Sequence, residues 1–273
     1  MTQLKTTMEI FKLLDQSNCR ECYEKTCLAF AAAVFKGKRK LEECTHLPKE
    51  VIANYSGSTG KAQSVEEDMR NAMKRLKQKI STIDLAEAAM RVGGDFSDNK
   101  LTLKVLGKDF HVDAKGNLSS DIHINPWVSI PLLKYILDSA GKPVSGKWIS
   151  FRELKNGSIQ YPLFQRRCEE PLKRVADSYR DLFKDMLEIF KGEKVENHYE
   201  SDVSLVLHPL PLVPILFCYW EPDEGLESDL HIFFDETVED NLELEFLYTM
   251  TVGMVNMLQK ISLRHGVKVG ATT

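Results

Sequence analysis

The chain has 273 residues, 43% of them apolar and 28% charged, with 36 Lys and Arg against 40 Asp and Glu, for a formal net charge of −4. That near balance leaves no basic footprint for nucleic acid and no polybasic patch for an anionic membrane. No apolar run is long enough to insert into a membrane, and Met1 to Ile10 lacks the apolar core of a signal peptide, so a cytoplasmic location is expected.

Four of the six cysteines fall within 26 residues: Cys19, Cys22, Cys27 and Cys44, spaced C-x2-C-x4-C-x16-C. Cys168 and Cys218 stand alone. A disulfide framework would need an oxidising compartment, and a chain of this length does not depend on staples. Metal ligation is the better reading. Structural zinc usually pairs two short knuckles, and the second knuckle is missing here. A [4Fe-4S] cubane is a larger object, better served by three cysteines on one loop and a remote fourth. Zinc and a bare cysteine cluster remain the alternatives. Between Cys27 and Cys44, Leu28 to Lys36 reads as a short helix of good formers ended by Gly37, and Lys38 to Glu43 can return the chain to the cluster.

Residues 8 to 48, from Met8-Glu9-Ile10-Phe11 through Asn18-Cys19-Arg20-Glu21-Cys22 and Thr26-Cys27-Leu28-Ala29-Phe30 to Cys44, resemble the small iron-sulfur domain of the corrinoid iron-sulfur protein large subunit, the gamma subunit of acetyl-CoA decarbonylase/synthase. The same module resembles that of the B subunit of the Rnf electron-transport complex. The resemblance implies that Cys19, Cys22, Cys27 and Cys44 bind a low-potential [4Fe-4S] cluster used for one-electron transfer. The family often has Gly after the first and second cysteines, where this chain has Arg20 and Tyr23, and Pro after the fourth, where Thr45 stands. Gly at such places allows positive φ and close approach of N–H groups to sulfur.

After His46-Leu47-Pro48, the stretch Asn54 to Lys61 reads as a linker, which puts a domain boundary near residue 60: a cluster domain over 1–60 and a second domain over 61–273. From Val65 to Met90, apolar residues recur at helical spacing beside a basic face of Arg70, Lys74, Arg75, Lys77 and Lys79. This predicts one amphipathic helix, solvated on its basic side or docking an acidic partner. Leu101–Leu106, Phe110–Val112 and Ile122–Ile124 predict an antiparallel meander. A helix follows over 129–140, with Pro131 in its first turn. Asn156-Gly157 predicts a hairpin joining Trp148–Phe151 to Ile159–Tyr161. Leu172 to Phe190 reads as one long helix. Val203–Leu207 and the wholly apolar Val213–Trp220 read as strands, the latter central and buried; Leu230–Phe234 is another, and Leu244–Leu263 a final helix. The fold class expected is α+β: a small helical iron-sulfur domain, then an α+β domain with an antiparallel or mixed sheet.

Residues of about 85 to 265 also resemble a family of unassigned function found in anaerobic bacteria and archaea. The carrying residues are Gly146 to Leu154, Pro209-Leu210-Pro211, Tyr219 to Glu224 and Phe234-Asp235. The resemblance implies an anaerobic setting and supplies no reaction.

No phosphate-binding glycine loop and no G-x-S-x-G elbow occurs, so ATP, NAD and serine-hydrolase chemistry find no support. Glu221, Asp223 and Glu224 form an acidic cluster that reads first as a wet hairpin loop and second as a cation site. His111, His123 and His231 lie on predicted strands and could converge to ligate cobalt or haem iron, although separate histidines in a sheet usually do not. Cys218 reads as core. Cys168, beside Arg166 and Arg167, reads as packing, with a lowered pKa as the alternative. Tyr219-Trp220 reads as core. These readings favour one-electron transfer to a redox or corrinoid protein partner. Two rivals stand: a corrinoid-binding or reductive-activation role, and a non-redox module whose cluster stabilises or senses oxygen.

Overall fold

The computed structural model describes residues 6–55, 65–179, 181–196, 198–223 and 225–265. Internal contacts divide the chain into two units, Met1–Ala72 and Met73–Thr273. The linker expected around residue 60 lies largely outside the described residues.

The first unit is helical. Thr6 accepts the Glu9 amide on its hydroxyl and opens α1 (Thr7–Leu13); Thr26 does the same for the Ala29 amide and opens α2 (Cys27–Phe35). Each cap satisfies an amide that has no partner within the first helical turn. Gly37, at φ +67°, reverses the chain after α2, as its sequence position implies. A 3-10 turn over Leu41–Glu43 leads into Cys44, and α3 (Lys49–Tyr55) follows Pro48. The core of this unit is small: Ile10, Leu14, Phe30, Ala31, Val34, Leu41 and Leu47, together with Cys22, Cys27 and Cys44.

In place of one long helix, the chain forms α4 (Val65–Ile80) and α5 (Leu85–Val92). The Asp84 carboxylate accepts the Ala86 and Glu87 amides and starts the second helix afresh. An antiparallel meander follows: β1 (Asp95–Ser97), β2 (Lys100–Val105), β3 (Lys108–Asp113) and β4 (Leu118–Ser120), in that order across the sheet. Leu101 pairs with Val112 and Leu103 with Phe110, all four buried on one face. The third strand expected over Ile122–Ile124 lies earlier, because Asp113 accepts the Lys115 and Asn117 amides and closes the turn sooner.

Helix α6 (Pro126–Asp138) starts three residues before the expected start, with Pro126 in its first turn and Pro131 inside. Its Tyr135 is fully buried; the phenol donates to the Val92 carbonyl at 2.8 Å and accepts the Leu212 amide at 3.1 Å. The hairpin expected around Asn156-Gly157 does not form. Asn156 does take the left-handed conformation, φ +63°, but it sits before a helix, α7 (Gly157–Phe164). Trp148–Ser150 is a strand, β5, paired instead with the last strand of the second sheet.

Helix α7 runs through a π turn, Gln165–Glu169, into α8 (Glu170–Ser178). Pro171 has no N–H to give, and its ring would crowd the Arg167 carbonyl in a regular α-helix; the wider turn before it makes room. The long helix expected from Leu172 to Phe190 breaks after Ser178, whose hydroxyl bonds back to the Arg174 carbonyl at 2.6 Å. It resumes as α9 (Leu182–Ile189).

The remaining elements are β6 (Glu193–Lys194), β7 (Val203–Leu210), β8 (Val213–Trp220), β9 (Asp229–Asp235), α10 (Val238–Asn241) and α11 (Leu244–Arg264). They complete a five-stranded antiparallel sheet ordered β5-β9-β8-β7-β6, with the apolar β8 at its centre, as its composition implies. Phe151 stacks on Phe164 at 4.1 Å between ring centroids, and Phe234 meets both edge-on. The architecture is α+β, a small helical unit followed by a unit with two antiparallel sheets.

Candidate metal centre

Cys19 and Cys22 lie on the loop between α1 and α2, Cys27 opens α2, and Cys44 follows the 3-10 turn. Cys22, Cys27 and Cys44 are buried in the core of the first unit, and Cys19 is exposed. Cys27 is the first residue of α2. Asn18 clamps it from both sides: its amide donates to Cys27 Sγ at 3.3 Å and its side-chain oxygen accepts the Cys27 amide at 2.7 Å. Burial pushes the Cys44 thiol up, the His46 amide bonded to it pulls it down, and Asp15, Cys22 and Cys27 push it up again by their charge. The Cys22 and Cys27 sulfurs therefore each lie within electrostatic reach of Cys44.

Cys19 joins through polar neighbours. Its sulfur, a Glu21 carboxylate oxygen and a His46 ring nitrogen all lie within 4.8 Å of one another. The Thr45 hydroxyl donates to Glu21 at 2.5 Å, and His46 stands 3.3 Å from Glu21 and 3.6 Å from Asp15. These contacts tie the Cys19 end of the loop to the residues after Cys44. The Thr45 bond and the His46 ring hold the Glu21 carboxyl below its ordinary range; the Ser17 amide does the same for Asp15. Arg39 closes the other side, bonding Glu43 at 2.8 Å and facing Glu24 at 3.7 Å.

The backbone between the ligands is unusual. Gln16, Asn18, Arg20 and Tyr23 all have φ between +54° and +65°. Arg20 and Tyr23 are the positions where a glycine was expected after the first two cysteines. The loop keeps the conformation a glycine would allow, at a cost of roughly 1–2 kcal/mol for each such residue. The sequence reading missed Asn18, Asp15 and His46 as supports. Only the Asn at Cys27 minus nine hinted at one, because Asn both tolerates positive φ and bonds backbone groups locally.

The other singled-out residues separate. His111 belongs to the meander and meets Thr102 at 2.8 Å, His123 lies exposed in the loop after β4, and His231 is on β9 of the second sheet. They do not converge, and among the described residues none of them belongs to a group of potential metal ligands. Cys168 is fully buried in the π turn, and burial drives its thiol far up, opposite to the lowering that its arginine neighbours suggested. Cys218 is buried on β8. Tyr219 is buried with its hydroxyl on Asp177 at 2.9 Å. Glu221 and Asp223 are exposed loop residues, as the first reading of that cluster had them; Glu224 lies outside the described residues.

Residues 14–46 match the family described as "Putative Fe-S cluster". At 32% identity over 121 residues, 44% of this chain and 24% of the relative, the chain is similar to acetyl-CoA decarbonylase/synthase complex subunit gamma 1 of Methanosarcina thermophila. It is 32% identical over 93 residues to subunit gamma of Methanosarcina acetivorans, covering 34% of this chain and 18% of that one. The chain thus spans a quarter or less of the length of the curated relatives it matches. No solved structure matches. No helix among the described residues is long and apolar enough to cross a membrane. Residues 84–257, well over half of the chain, match the family described as "Domain of unknown function (DUF3786)", and the chain belongs to that family, with an iron-sulfur segment ahead of the shared domain.

Proposed function

We propose that Cys19, Cys22, Cys27 and Cys44 hold a [4Fe-4S] cluster and that the protein passes single electrons to a protein partner in anaerobic metabolism. The donor set fits: four soft sulfur ligands, two of them with an N–H group aimed at sulfur, on a loop already bent into the conformation such a site uses. Three ligands close in sequence and a remote fourth suit a cubane better than the paired knuckles of a structural zinc site. Bound there, the group supplies one reversible electron step at a potential set by its thiolates and their hydrogen bonds.

The chain's own residues do the rest. Cys22, Cys27 and Cys44 are buried and would shield a bound group from water, while the exposed Cys19 would hold it near the surface, within reach of a partner. Asn18 and the His46 amide withdraw charge from sulfur and so raise the potential relative to bare thiolates. The gamma-subunit relatives are named as subunits of a complex, which supports a protein partner. The resemblance of the first domain to the corrinoid iron-sulfur protein points to a redox or corrinoid protein, and thiol ligands call for a reducing compartment such as the cytoplasm.

The observation that carries this reading is the joint placement of three cysteines in one core under the positive-φ loop. Anaerobic purification with iron, sulfide, zinc and cobalt analysis tests it. The expected result is iron and sulfide in equal amounts, near four of each per chain, with a reversible one-electron signal by EPR and voltammetry that Cys44→Ser abolishes. A colourless preparation holding one zinc, or full iron in Cys44→Ser, overturns it. A stable cluster with no reversible step would instead favour the oxygen-sensing reading.

A further inference from the structure

The second unit contains a cleft of about 270 Å³ that the cluster reading does not use, lined by Ser150, Arg152, Tyr161, Glu169, His231 and Phe233. It is a built site. Glu169 is 4% exposed, yet both its oxygens are engaged: Oε2 accepts the Tyr161 hydroxyl at 2.7 Å, and Oε1 accepts the Ile232 amide at 3.1 Å with His231 Nδ1 3.5 Å away. His231 is gripped on its other nitrogen by Asp229 at 3.2 Å. A buried carboxylate so arranged spends its charge on fixing a phenol and an imidazole in place. It sits on the π turn, a feature frequent at functional sites.

Arg152 is the charged group of the cleft with no ion-pair partner among the described residues. Its guanidinium lies 3.9 Å from the centre of the Tyr161 ring. The contact with the Tyr161 ring and a hydrogen bond to its hydroxyl hold the guanidinium in place, and a guanidinium has five donors, so others remain for a ligand. Beside it are the Ser150 hydroxyl and the apolar face of Phe233, whose ring is braced by Tyr199 at 4.4 Å. The cleft thus offers one planar cation, one hydroxyl and one aromatic wall, in a space below that of drug-sized pockets.

We propose that this cleft binds a small organic anion, its acidic head on the Arg152 guanidinium and the Ser150 hydroxyl, and its apolar body against Phe233. Carboxylate and phosphate heads both match a guanidinium fork. Glu169 and Tyr161 are positioning residues, holding Arg152 and His231 in register.

Calorimetric titration of the full chain with benzoate, phenyl phosphate and the neutral benzamide tests the inference. Saturable binding of benzoate, of phenyl phosphate or of both supports it and tells which head group is preferred. Arg152→Gln should weaken that binding at least tenfold. Arg166→Gln, an exposed arginine outside the cleft, should leave it unchanged, and an unaltered thermal midpoint in both variants shows that the fold persists. Benzamide binding as tightly as benzoate, retention of affinity in Arg152→Gln, or no saturable heat from either anion up to about 20 mM would refute it.

Discussion

Replacing Arg20 by glycine should stabilise the first unit, although it removes a whole charged side chain. Arg20 sits at φ +65°, and among the described residues its side chain makes no hydrogen bond or ion pair; its carbonyl accepts the Tyr23 amide at 3.0 Å whatever the side chain. Releasing an L-residue from the left-handed region recovers about 1–2 kcal/mol. Glycine gives back about 0.5–1 kcal/mol through the greater freedom of the unfolded chain. The net gain is about 0.5–1 kcal/mol, which slows hydrogen exchange at the buried Phe30 and Ala31 amides about two- to fivefold when exchange follows opening of this unit. Arg20→Ala is the control, since it keeps the β-carbon and hence the strain. Equal slowing in the alanine variant, or faster exchange in the glycine variant, would show that backbone conformation is not the cause.

Tyr135→Phe should cost about 2–4 kcal/mol in denaturant unfolding, because the Val92 carbonyl and the Leu212 amide both lose their buried partner; a loss below about 0.5 kcal/mol would mean that the phenol is dispensable. Gly157→Ala should destabilise toward the upper end of the roughly 1–3 kcal/mol typical of overpacking, since the new methyl would stand 1.8 Å from the Phe151 carbonyl oxygen; an unchanged midpoint would place that oxygen elsewhere. Glu169, acting against the opposing effect of burial, and Asp229 hold the His231 imidazole above its ordinary pKa. Its contribution to stability is therefore complete below the unfolded value of about 6.5 and is lost as pH rises through the folded value. His231→Gln should flatten that part of the stability profile, and an identical slope in the variant would exclude His231 as its source.

Much of the candidate centre could be read from residue spacing, because thiol ligands must be close in space and three of them are close in sequence. Arg20 and Tyr23 showed that conformation can outlast the residue best suited to it: the expected glycines are absent, and the positive φ remains. Strong periodic or wholly apolar segments, such as β8 and α11, were equally legible. What escaped depended on single side chains competing with a longer pattern. Asp84 and Ser178 each cut a helix that apolar spacing would have continued. Asn156-Gly157 signalled a left-handed residue correctly and a hairpin wrongly, because the same conformation also precedes a helix. Glu169 gave no signal at all. It is one carboxylate among 40 acidic residues, and only the fold reveals that it is buried and bonded to Tyr161, eight positions earlier.

That eight-residue separation makes the anion cleft sensitive to a change in gene length that leaves every chemical group intact. Loss of one codon between Gln165 and Cys168 would let the wide turn relax to an ordinary one and rotate α7 by about 100° relative to α8. Tyr161 would then swing away from Glu169 and carry the resting place of Arg152 with it. Lineages that keep the domain but lack this extra residue should have abandoned whatever the cleft once held.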